Sequence, residues 1–220
     1  MFSSKKHPAI LALLLCLLVA TAEAKHKKPG KNTPGHFDYY LLTLSWAPQF
    51  CSSHGSSASP TECDPQKHFG FVVHGLWPEN TNGSYPQSCS TAKQVSQDII
   101  DQMMPIMPDA GLMQHEWSKH GTCSGLSMQD YFNDIQKTFQ QLQIPQEYRA
   151  PQQTVSARPS DIQQKFADTN NAPRNAFVVG CTGSQFEQLQ VCLTKDLQYR
   201  QCGSGLQKCT RSQIQIRPTP

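Results

Sequence analysis

The chain has 220 residues, 19 Lys and Arg against 16 Asp and Glu, and nine cysteines. A net charge of +3 is too weak to establish a nucleic-acid partner by itself, because such proteins carry dense basic faces. At this length a single domain with one core is the natural count.

Lys5 and Lys6, the apolar run from Ala9 to Ala20 and the small-x-small triplet Ala22-Glu23-Ala24 mark residues 1–24 as a signal peptide cleaved after Ala24. Twelve apolar residues are too few to cross a bilayer, which takes about 20, so no membrane anchor is expected after cleavage. Cys16 leaves with this segment. The 196 residues that follow keep eight cysteines and a net charge of about +2. An even number behind an export signal reads as four disulfides in an oxidising compartment, secreted or periplasmic. Eight cysteines admit 105 pairings. Spacing makes plausible a local Cys51–Cys63 loop, a Cys89–Cys123 tether, and Cys181–Cys209 enclosing Cys192–Cys202.

Residues 25–35, with the run Lys25-His26-Lys27-Lys28-Pro29-Gly30-Lys31, are expected to be a flexible basic tail, and residues 36–220 the folded domain. Phe37 to Trp46, rich in aromatic and apolar residues, predicts a strand ended by Pro48, and Ser52 to Ser59 a loop. Phe71-Val72-Val73 predicts a buried strand that stops at His74, where Gly75 and Pro78 force a loop. Asn80 to Ser90 is a further loop holding the formal glycosylation sequon Asn82-Gly83-Ser84. Helices are predicted from Ala92 to Met104, Met113 to His120, Met128 to Leu142 and Ser160 to about Asp168. Strands follow at Ala176 to Cys181, Gln185 to Leu193 and Ile214 to Ile216. The fold class is therefore α+β, an antiparallel sheet packed with helices.

The chemistry is concentrated in two stretches. Gln114 to Cys123 contains His115, Glu116, Lys119 and His120; on a helix the last three share one face at i, i+3 and i+4. The other is Val73-His74-Gly75-Leu76-Trp77-Pro78-Glu79, whose histidine at a strand mouth is placed to face the first. A zinc site is disfavoured. In regular α-helix His115 and His120, five apart, lie roughly 140° apart around the axis, and further ligands at zinc spacing are missing. A plain surface helix, with Glu116 paired to Lys119, accounts for any one of these residues but not for the second cluster.

His74-Gly75-Leu76-Trp77-Pro78 and His115-Glu116-Trp117-Ser118-Lys119-His120-Gly121-Thr122-Cys123 resemble the two active-site segments of the ribonuclease T2 family. The resemblance extends to Trp46-Ala47-Pro48 with Cys51 and to the late cysteines. It implies metal-independent, cofactor-free cleavage of single-stranded RNA, in which the 2′-hydroxyl attacks the adjacent phosphorus and leaves a 2′,3′-cyclic phosphate. A slower hydrolysis follows, and DNA is not cut. By position, His120 is the general base and His74 the general acid. Lys119 and Glu116 stabilise the phosphorane and His115 holds the phosphate. Trp77, Glu79 and Tyr85 form the pocket for the base 5′ of the cut; Glu79 stands where aspartate is more usual, which leaves base preference open. The four disulfides named above are supported by the same resemblance, and a monomer is expected. A binding protein that keeps the scaffold without turnover is the competing class, and would not need both histidines, Lys119 and Glu116.

Overall fold

The computed structural model describes residues 32–55 and 57–220. The expected signal peptide and most of the expected tail lie outside the described residues. Residues 32–35, at the end of that tail, lie on the domain: Gly35 N donates to the Cys123 carbonyl at 2.9 Å, and Lys195 Nζ to the Gly35 carbonyl at 3.1 Å.

Among the described residues six strands make one sheet: β1 (Tyr39–Trp46), β2 (Phe71–Glu79), β3 (Val155–Ala157), β4 (Phe177–Thr182), β5 (Gln185–Leu193) and β6 (Ile214–Ile216). The order is β2-β1-β5-β6-β3, with β4 also pairing β5. Pairing is antiparallel apart from one parallel contact between β5 and β6. The helices are α1 (Ala47–His54), α2 (Gln97–Met103), α3 (Ala110–Glu116), α4 (Thr122–Ser124), α5 (Met128–Gln141), α6 (Gln146–Arg149) and α7 (Pro159–Asn170). The fold is thus a mixed α+β domain with four disulfides.

Strand β1 alternates between two interiors. Tyr40, Leu42, Leu44 and Trp46 enter the main core, with Phe132 and Ile135 of α5 and Phe166 of α7. Tyr39 and Leu41 face the other way, onto Cys192, Trp77, Cys202 and Leu206. Helix α5 places Tyr131, Phe132, Ile135 and Thr138 inward, at helical spacing.

Several local readings differ from the sequence expectation. Pro48 does not merely end β1. It occupies the first turn of α1, where its missing N–H costs nothing, so residues 52–54 are helical. Strand β2 does not stop at His74 but runs to Glu79. Its register against β1 slips between Thr43 and Leu44, which pair with Gly75 and Val73; His74 is the extra residue of a β-bulge. Pro78 is tolerated because β2 is an edge strand. The first predicted helix starts late, at Gln97 after Ser96, and Ser160 lies inside the first turn of α7, after Pro159, rather than at its cap. The segments α6 and β3 were not anticipated.

The disulfides join Cys51–Cys63, Cys89–Cys123, Cys181–Cys209 and Cys192–Cys202, the pairs implied by the resemblance. Cys89–Cys123 closes 34 residues, for which chain entropy gives about 3–4 kcal/mol. The Cys89→Ala/Cys123→Ala double variant should lose about that much stability in urea unfolding, and its melting temperature should fall by roughly 10 °C.

Candidate active site

The site is assembled on the bulged edge strand and the helical segment packed across it. The phase shift is visible in the core: Phe71, Val73 and Leu76 all point inward. His74 and Trp77 are consequently left half-buried. Gly75 is required at the crossing. A Cβ there would overlap the Glu116 carboxyl group and stand 2.5 Å from Trp77 Nε1.

Between α3 and α4 the chain makes a π turn over Trp117–Gly121. Wide turns of this kind occur inside helices at functional positions. The even 100° spacing assumed for residues 113–120 therefore fails, and the angular separation of His115 and His120 derived from it does not apply. The turn is held by side chains. Ser118 Oγ donates to the Gln114 carbonyl at 2.7 Å and Thr122 Oγ1 to the Ser118 carbonyl at 3.0 Å. Gly121 lets the segment approach closely, since a Cβ would run into the rings of Trp117 and Tyr131.

These elements bring the two histidines onto one indole. The His120 ring stacks on Trp77 with centroids 5.1 Å apart and planes 23° from parallel. The His74 ring meets Trp77 edge-on at 5.5 Å. Trp77 Nε1 donates to Glu116 Oε2 at 2.6 Å, and Glu116 Oε1 is 3.6 Å from His74 Nε2. Ser45 Oγ lies 3.4 Å from His74 Nδ1. Trp77 thus positions three other groups.

The electrostatics follow from burial. Glu116 is 1% exposed; burial pushes its carboxyl up to about 7 against the opposing pull of Trp77 and Lys119. The same cause acts in reverse on imidazole. Burial, with Lys119, His115 and His74 nearby, holds His120 down to about 3. Burial, then His115 and Lys119, holds His74 down to about 4. Both rings are therefore neutral near pH 7 unless an anion enters. His115 is exposed at the end of α3, and Lys119 is half-buried.

Trp77, Glu79, Tyr85, Lys119 and His120 line one cavity of about 370 Å³, together with Leu206 and Gln207. Tyr85 is 6.3 Å from the His120 ring. His74 lines a different cavity, of about 500 Å³, with Ser45, Phe50, His54, Glu62 and Asp109. Gln188 belongs to both walls. Sequence reasoning missed this second cavity and Gln188. In the fold Gln188 lies opposite Gly180, where a Cβ would meet Gln188 Cγ at 2.6 Å.

The solved RNase-related protein from Calystegia sepium superposes with a TM-score of 0.65 at 23% identity, covering 83% of this chain and 97% of its own; this defines the fold. Residues 37–202 match the model of the Ribonuclease T2 family. Ribonuclease DdI of Dictyostelium discoideum is 33% identical over 205 residues, 85% of this chain and 87% of that protein. A ribonuclease of Aeromonas hydrophila is 39% identical over 127 residues, 58% of this chain and 54% of that protein. The match spans about half the length of the bacterial relatives. The chain belongs to the Ribonuclease T2 family.

Proposed function

We propose that the protein is an exported endoribonuclease that cuts single-stranded RNA by attack of the substrate's own 2′-hydroxyl. The observation carrying this reading is the pair of imidazoles set on one indole, with a buried carboxyl group 3.6 Å from one of them. No protein nucleophile is required. Neutral His120 takes the 2′-hydroxyl proton, and His74, protonated when the anionic phosphate arrives, gives its proton to the departing 5′-oxygen. Lys119 and His115 supply positive charge to the phosphate. Glu116, whose carboxyl burial pushes up to about 7, donates a hydrogen bond to a phosphorane oxygen in its protonated form. The base 5′ of the cut enters the cavity of Trp77, Glu79 and Tyr85, which aromatic faces make tolerant of sequence. The departing nucleoside occupies the cavity beyond His74. One copy of the chain supplies every group in this scheme.

Mature protein incubated with single-stranded RNA in excess EDTA should yield 2′,3′-cyclic phosphate ends at an undiminished rate, and later 3′-phosphates. An oligonucleotide with a single 2′-deoxy position should stay intact there. Cutting at the deoxy position, or loss of activity with EDTA, would rule out this chemistry.

A further inference from the structure

The cavity beyond His74 is lined by three acids that the scheme above does not use, Glu62, Asp109 and Glu187, and Glu62 has a buried carboxyl oxygen without a partner. Glu62 lies in the turn of residues 60–63, next to the Cys51–Cys63 bridge. It is 7% exposed, lines the cavity, and its Oε1 is buried with no hydrogen-bond partner. An unsatisfied buried carboxyl oxygen costs free energy. The rest of the wall offers an aromatic ring, Phe50, stacked on His54 at 4.6 Å, and apolar Val72 and Leu112. A flat heterocycle fits such a wall, and about 500 Å³ lies within the usual range of ligand pockets.

We propose that Glu62 reads the base of the departing nucleoside, and that its protonation state decides which base is preferred. This deepens the nuclease reading and rests on it. A protonated carboxyl group presents one donor and one acceptor. That pattern matches the amino group and ring nitrogen on the pairing edge of adenine or cytosine. An ionised carboxylate presents two acceptors, which match the two adjacent donors on the pairing edge of guanine. The switch falls in an accessible range, because burial, with Asp109 adding to it and His54 opposing it, pushes the Glu62 carboxyl up to about 7. The other titratable groups on the cavity wall are Glu187 and His74.

The test uses the dinucleoside monophosphates UpG and UpA at pH 5.5 and pH 8. The kcat/KM ratio of UpG to UpA cancels the titration of the catalytic histidines, which act on both. In wild type the ratio should rise about tenfold between the two pH values, the worth of one well-made hydrogen bond. Glu62→Gln, which keeps the shape and fixes one donor and one acceptor, should hold the ratio flat and low. A wild-type ratio constant within twofold would overturn the proposal without reference to the variant, as would a Glu62→Gln ratio that still rises. Failure to cut either dinucleotide or longer RNA would instead sink the nuclease reading itself.

Discussion

Replacing His120 with alanine lowers kcat on single-stranded RNA by about 10² to 10⁴-fold, the usual worth of a general acid or base. His74→Ala does the same. Because the two groups act on one displacement, the double variant loses less than the product of the single losses. Retention of more than about a tenth of wild-type turnover in either single variant would contradict the assigned roles. The pH profile offers a second check. Both imidazoles sit below the usual range of about 6.5, at about 3 and about 4, first because they are buried. A general acid must hold its proton before it can give it, so activity falls as pH rises through the value of the acid group. The kcat/KM profile should therefore peak on the acid side of 6.5. Bound phosphate favours the charged imidazole and shifts both values upward, so the kcat profile should peak at higher pH than that of kcat/KM. A kcat/KM maximum at pH 8 would exclude the scheme.

Gly75→Ala should be nearly as damaging, although Gly75 handles no proton. The added Cβ must displace the Glu116 carboxyl group or the Trp77 indole, and that indole carries His120 on its face and His74 at its edge. Displacement of a reacting group by about 1 Å costs on the order of 10²-fold, and overpacking a filled interior costs about 1–3 kcal/mol. We expect kcat to drop about 10²-fold with KM changed far less, and the melting temperature to fall by several degrees. Wild-type kcat in this variant would show that the Glu116–Trp77 hydrogen bond is not needed for catalysis.

The parts of the fold that were legible share one property: their signal is local, carried by short stretches of composition or spacing. Strands β1 and β4 are short runs of apolar and aromatic residues, β5 and β6 alternate and α5 repeats apolar residues at helical spacing, and tertiary packing does not override that. Strand β2 was read short because Gly75 and Pro78 signal a break when taken alone. Only the sheet order, which puts β2 on an edge with His74 bulged, removes the contradiction. Helix α1 was hidden by the same ambiguity of proline, which both ends strands and starts helices. The π turn has no sequence period of its own and is held by contacts of Ser118, Thr122 and Gly121. In the site, residues close in sequence to the two histidines were found, whereas Ser45, Glu62 and Gln188 come from distant segments. Their convergence exists only in the folded chain, so no pattern along the chain could announce it.

The bulge at His74 has one more consequence. β1 and β2 would pair more evenly if that residue were absent, so the proposed proton donor stands on the single rung that the ladder gains nothing from. The sheet tolerates an irregularity of its own at the position proposed for the proton donor. Shortening the strand there would tidy the architecture and abolish the enzyme.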